Sequence, residues 1–335
     1  MSNAAARIRR TGVFTGKLCL AALLVGWLWK SGRLDLSVVR GLDVDGRTAG
    51  WVTAGVAAVF GGQMLLAIRL RMLLAKQQLS VSFSRALGLT MIGAFFGSIL
   101  PGLVSGDAVK AVYLFGDAGG SRGRAVAAVL LDRIVGLFSL FLLGALAMGV
   151  ALLTGWLPEG MPLPWVAPAV VAAMGAGLAI LSWPGWSERL PEKLSDLVTG
   201  VGGFLRAPRL LAGAVGLSVA NHALVIVTFL AAGVLLRDSI PGHTHFLADP
   251  LAMVLNVIPL TPGGIGITEG ALSFLFEELG SPNGAAVGLL GRGIQYVAYV
   301  TGGSVALLVV RFRLKGDPYR RDHEDEAAPS SESEG

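Results

Sequence analysis

Hydrophobic residues fall in blocks too long for the core of a water-soluble domain, separated by short polar stretches. The blocks at residues 13–29, 49–70, 125–153, 163–183, 210–236 and 284–310 each suit one membrane-crossing helix, since about 20 helical residues cover a hydrocarbon core of about 30 Å. Two further apolar regions have a different pattern. Each is cut by a glycine-rich break, Leu100-Pro101-Gly102-Leu103-Val104-Ser105-Gly106-Asp107 in one and Thr261-Pro262-Gly263-Gly264-Ile265-Gly266-Ile267-Thr268-Glu269 in the other. The arms beside the breaks, 86–100 and 108–115, then 246–260 and 266–279, reach at most about 23 Å as helices, short of a bilayer core. They suit helical hairpins that enter the membrane and return to the same side. The pattern predicts an all-α, polytopic integral membrane protein with about six full spans and two hairpins.

Composition agrees. Of 335 residues, 53% are hydrophobic and 15% charged, with a mean hydropathy of +0.68, far from the balance of a soluble domain. The net charge of +5 does not signal nucleic acid, because the basic residues sit at the ends of apolar blocks rather than on one patch with aromatics. The single cysteine, Cys19, lies in the first apolar block and suits packing. Arg7, Arg9 and Arg10 ahead of that block resemble a signal peptide, but Lys17 interrupts it and no clear small-residue cleavage site follows, so it reads as a retained span. Residues 1–315 are expected to form one transmembrane domain, and 316–335 a disordered acidic cytoplasmic tail. Residues 184–208 read as a cytoplasmic linker or surface helix.

Basic residues set the expected topology, since lysine and arginine accumulate on the cytoplasmic side. With six spans and two hairpins, only Lys30, Arg33, Arg40, Arg47 and Arg237 fall outside, and the loop and terminal groups, including Arg69, Arg71, Lys76 and Arg85, fall inside. Making either hairpin alone a single crossing would turn a basic loop outward. Both termini are thus expected in the cytoplasm and the protein in the plasma membrane. In this topology the units at about 49–153 and 210–310 have opposite orientations, and interrupted segments at matching places in inverted repeats point to a midplane substrate site in transporters.

Chemistry converges on the breaks. Pro101, Gly102, Gly106, Pro262, Gly263, Gly264 and Gly266 supply non-helical backbone, tolerable within a membrane only where protein or a watery cavity covers it. Asp107, Lys110, Arg133, Glu269 and Arg292 place charge beside those breaks, and such groups in a membrane usually face partners or a polar cavity. These five are the candidate substrate-binding residues, with the arginines as phosphate ligands. The alternative is that Asp107 with Arg133, and Glu269 with Arg292, are structural ion pairs. Asp132 adjoins Arg133 but points elsewhere on the helix and reads as supporting at best. Asn221 and His222 lie mid-span as a packing pair or polar relay, and His243 and His245 read as loop residues. No P-loop, zinc motif or nucleophile elbow is present, so no metal, cofactor or catalytic residue is expected. A transporter is favoured over an enzyme.

At these residues the chain resembles the lysylphosphatidylglycerol synthase transmembrane-region family, the flippase-like membrane domain also found in the multiple peptide resistance factor. The match runs from about Arg69 through Asp107 and Asp132-Arg133 to the Pro262-to-Glu269 element and Arg292. Ser105 stands where a second glycine is usual, and Lys110 where arginine is common. The resemblance implies lipid transport: a translocator that moves a phosphate-bearing phospholipid or isoprenoid-linked lipid between leaflets. Fuller members carry a soluble aminoacyl-transferase domain, for which no segment here has room. The alternatives are a membrane-embedded lipid-modifying transferase, with Asp107 or Glu269 as general base, and a non-catalytic partner of a lipid-synthesis enzyme. Expected partners are membrane lipids with anionic or phosphate-bearing headgroups, a second copy of the chain or a lipid-synthesis enzyme, and no nucleic acid.

Overall fold

The computed structural model describes residues 45–99, 105–115, 122–155, 206–255, 261 and 264–310, with isolated residues and short runs at 26, 30, 168–169, 171–173, 175–176 and 202–204. Among them the regular structure is helical: α1 (Gly46–Lys76), α2 (Phe83–Ile99), α3 (Ser105–Leu114), α4 (Arg122–Thr154), α5 (Pro208–Leu235), α6 (His245–Val254), α7 (Ile267–Glu278) and α8 (Gly284–Val309), with a 3₁₀ turn at Gly242–Thr244 before α6. The acidic tail and most of the expected first and fourth spans and of the linker lie outside the described residues, as do Pro101, Gly102, Pro262 and Gly263.

Among the described residues three helices, α1, α4 and α5, are long and apolar enough to cross a membrane. The crossing expected at 284–310, α8, is long enough at 26 residues, but Arg292, Gln295 and several glycines dilute its apolar content. Between the long helices lie the interrupted pairs α2/α3 and α6/α7. Their arms of 17, 10, 10 and 12 residues reach only about 15 to 26 Å, as expected of hairpins. Only about a third of the most apolar stretch of α1, α4 and α5 is buried, and Leu146, Val150 and Leu153 stand exposed. The charged side chains Arg69, Lys110, Asp132, Glu269 and Arg292 are buried instead. That arrangement suits a helical bundle whose surroundings are lipid.

Local sequence explains the helix ends. Asp45 accepts the Thr48 N–H at 2.7 Å, capping α1 and holding its own carboxyl below the usual range. At the second break Gly264 and Gly266 adopt φ of 73° and 85°, a region that glycine enters without steric cost. The Glu269 carboxylate then reaches back to the Gly266 N–H at 2.6 Å, satisfying an amide that would otherwise be orphaned at the start of α7.

Every substantial contact between helices in α1–α4 has a counterpart in α5–α8. Helix α1 packs on α2 and α4 as α5 packs on α6 and α8; α3 joins α2 and α4 as α7 joins α6 and α8. The crossed contacts match too, α2 with α8 and α6 with α4, and α4 with α5 and α8 with α1. The corresponding helices α1 and α5 meet antiparallel, with Gly61 against Leu224, Gly62 against Asn221 and Gly213 against Met72. Each half has its own apolar core. One is built around Leu70, Leu74, Leu89 and Leu114, the other around Phe229, Leu247, Leu272 and Phe276. In lipid such cores gain by close contact rather than by leaving water.

Two expectations need correction. Arg69 is not a loop residue, because α1 continues past Leu70 to Lys76 and buries Arg69 at 4% exposure. His245 is not in a loop either. It opens α6, where one helical turn brings its Nδ1 to 3.1 Å from the buried Asp249 carboxylate.

Candidate functional site

The two interrupted segments meet at a cavity of about 320 Å³. Its walls follow from helical spacing. On α2, Thr90, Gly93, Ala94, Gly97 and Ser98 share one face and are small enough to leave space; on α8, Arg292, Gln295, Tyr296 and Tyr299 recur at the i, i+3, i+4 and i+7 positions and turn a polar stripe to the same space. Gln63 comes from α1, Gly106, Asp107 and Lys110 from α3, and Arg133 from α4, while Thr261 and Gly264 come from the second break. A second cavity of about 270 Å³ lies next to it, bounded by Arg69, Asp132, Gly136, Asn221 and His222. Leu66, Asp107, Lys110 and Arg133 line both.

Asp107 and Asp132 tie the cations around this partition together. Lys110 Nζ lies 2.9 Å from Asp107 and 3.3 Å from Asp132. The other Asp132 oxygen accepts from Arg69 Nε at 2.8 Å, and Arg69 Nη1 donates to Ser218 Oγ at 2.6 Å. The Arg133 guanidinium is held more loosely. It stands 3.7 Å from Asp107, its side chain 40% exposed, and its Nε has no hydrogen-bond partner. Across the cavity Arg292 donates from Nε to Glu269 Oε1 at 2.6 Å and from Nη2 to the Gly264 carbonyl at 3.4 Å.

Of the five candidate residues, Asp107, Lys110, Arg133 and Arg292 line one space. Glu269 does not. It is 1% exposed, with one oxygen on Arg292 and the other on the Gly266 N–H, so it neutralises and orients Arg292 from behind. Gly106 lies where α3 crosses α2, and a Cβ there would run into the Gly93 carbonyl. His222 donates from Nε2 to the Gly136 carbonyl at 3.0 Å, since a carbonyl can only accept. Among the described residues no group of three or more His, Cys, Asp or Glu converges as a metal site.

Several wall residues escaped the sequence reading. The polar stripe on α8 was legible as spacing, but only Arg292 stood out, as the one charge. Gln63 is a single polar residue in a long apolar block, a weak signal. Asp132 and Arg69 pair only through the packing of α1 on α4.

The sequence profile of the lysylphosphatidylglycerol synthase TM region matches residues 14–303. The chain belongs to that family. Membership connects this transmembrane bundle to membrane-lipid function, and the matched region contains both cavities and both breaks. No curated protein and no solved structure gave a match. Within this family member the halves differ at the equivalent α1–α4 and α5–α8 contacts. Where α1 and α4 meet through Arg69 and Asp132, α5 and α8 meet through Phe229 packed against Gly291, each pair next to an arginine, Arg133 or Arg292. The ionic surroundings are therefore concentrated on the α3/α4 side.

Proposed function

We propose that the chain carries the headgroup of a phosphate-bearing lipid, a phospholipid or an isoprenoid-linked lipid, between leaflets through this cavity while the acyl or prenyl chains stay in hydrocarbon. One observation carries the reading: Arg133 and Arg292, from opposite halves, line a single polar space between the two interrupted segments. A phosphate offers the acceptors that guanidinium groups match, and a polar route removes the cost of drawing a charge through lipid tails. The paired contacts of α1–α4 and α5–α8 and the antiparallel crossing of α1 and α5 support reading the halves as inverted repeats, an arrangement suited to alternating access. On this reading both termini face the cytoplasm of a plasma-membrane protein that works without a cofactor or bound metal.

The lipid-modifying transferase is less well supported. A general base needs a free carboxylate within reach of its proton, whereas both Glu269 oxygens are engaged and Asp107 lies between Lys110 and Arg133. Leaflet-resolved transport of fluorescent phospholipids in proteoliposomes tests the proposal. Arg133→Ala and Arg292→Ala should each abolish transport in protein that still elutes as a folded species. Transport at the original rate in both would remove the anion site.

A further inference from the structure

One cluster of ionisable side chains plays no part in the route described above. His245 opens α6 in a buried position, and one turn on Asp249 is fully buried, its two oxygens 3.1 and 3.3 Å from the imidazole Nδ1. The other edge of the ring turns toward a second carboxyl-bearing residue. A Cβ added at Gly233 would lie 3.0 Å from His245 Nε2 and 3.9 Å from Asp238 Cβ, so the missing side chain leaves room where the two approach. Asp238 Oδ1 is engaged by Ser281 and Asn283, whereas its Oδ2 is buried with no hydrogen-bond partner. The imidazole is thus set between two carboxyl groups, one in the core and one half-buried just beyond the end of α5.

The fold does not require this cluster. The matching helix of the first half, α2, has no aspartate, glutamate or histidine, and an ionisable pair in an apolar core is often no more stable than a hydrophobic pair of similar volume. Its surroundings are apolar: Phe276 of α7 lies edge-on to the imidazole, and the facing part of α4, past Arg133, has no ionisable residue. Of the charged groups on the other neighbours, Arg237, His243, Glu277 and Glu278 are exposed, and Glu269 is held by Arg292. Among the described residues, His245 is thus the one partner of Asp249 in an ion pair. Stripping the pair of its proton would leave a net negative charge in that core, so the proton leaves only where water reaches it. An imidazole can relay it: a proton arriving at Nε2 gives an imidazolium, whose Nδ1 proton moves to Asp249 and restores the neutral ring. One turn past Asp249, Met253 borders the 270 Å³ cavity, which places the pair between that cavity and the face where α5 ends. We propose that His245 and Asp249 form a proton-binding site, loaded through Asp238 from the outer face, and that this proton is the ion coupled to transport. The coupling rests on the lipid-transport reading above; the proton site does not.

Two measurements on the full chain test this. Infrared difference spectra of detergent-purified protein between about pH 5 and 8 should contain a protonated-carboxyl band that Asp249→Asn removes. Proteoliposomes with the membrane potential clamped at zero report the coupling, with fluorescent phosphatidylglycerol as the probe. A gradient of about one pH unit should shift the probe's leaflet distribution by up to about tenfold, the limit for one proton per lipid. Asp249→Asn and His245→Gln should each abolish both signals, with melting profiles reporting on folding. Asp238→Asn, at a half-buried position, keeps the test valid where those two do not fold, and it should slow the approach to the shifted distribution. A band or a gradient response unchanged in folded Asp249→Asn overturns the proposal, as does a probe that crosses in the parent chain but ignores the gradient. If the probe does not cross at any gradient while the carboxyl band still titrates, the proton site stands and the lipid-transport reading fails.

Discussion

Replacing Asp132 with alanine removes the carboxylate shared by Arg69 and Lys110, two cations that are 4% and 8% exposed. The loss does not fall on them equally. Lys110 keeps Asp107 at 2.9 Å, whereas Arg69 keeps only the Ser218 hydroxyl at 2.6 Å. Stranding one buried charge costs about 3 to 5 kcal/mol, roughly two to four powers of ten in the folded-to-unfolded ratio. Arg69→Met should cost less, about 1 to 3 kcal/mol, because Asp132 loses the Arg69 hydrogen bond but keeps Lys110 at 3.3 Å. The double variant should cost far less than the sum, since removing both charges together leaves neither stranded. A coupling energy of at least about 2 kcal/mol is expected. Unfolding free energies from SDS titration of detergent-solubilised protein, completed as a double-mutant cycle, measure it. Costs that add within about 0.5 kcal/mol would refute the idea that Arg69 and Asp132 act as one unit.

Stability should separate the two cavity arginines. Arg292→Ala abandons Glu269 at 1% exposure and should cost about 3 kcal/mol or more, while Arg133→Ala, at 40% side-chain exposure and 3.7 Å from Asp107, should cost under about 1 kcal/mol; thermal melts read both, and Arg292→Glu should melt lowest of the three. Gly106→Val would drive a side chain into the Gly93 carbonyl and should destabilise by about 1 to 3 kcal/mol, whereas Gly97→Ala, with nothing within 4 Å of an added Cβ, should melt like the parent. Cysteines at Ser2, Ser195 and Ser330 in a Cys19→Ser background should react with an impermeant maleimide from the cytoplasmic side only, and outward labelling at Ser195 would break the two-hairpin topology.

Much of the architecture was legible because a bilayer imposes simple rules on a chain. Apolar length indicated the spans, and Pro-Gly breaks flanked by short arms indicated hairpins, so the described helices start and end within several residues of their expected places; the part of the α6 arm expected at 256–260 lies outside the described residues. Charge in an apolar setting is equally conspicuous, which is why Asp107, Lys110, Arg133, Glu269 and Arg292 could be named in advance. Arg69 was misread for the converse reason. At the edge of an apolar block, a basic residue looks the same whether it snorkels to a membrane surface or turns inward to a carboxylate.

Sequence alone determined that this is a membrane bundle, where its helices break and which residues bring charge into it, because burial of backbone and charge in lipid leaves few solutions. Partnership was decided only by tertiary structure. Asp132 and Arg133 are adjacent in sequence, yet their side chains leave the helix in different directions, and packing gives one to Arg69 and Lys110 and the other to the cavity. Glu269 likewise became a support for Arg292 rather than a wall residue. The cavity depends on small residues of α2 facing the polar stripe of α8, a contact between segments some 200 positions apart in sequence. No local pattern encodes such a meeting. It arises when α1 and α5 cross antiparallel and the helices of the two halves close around them.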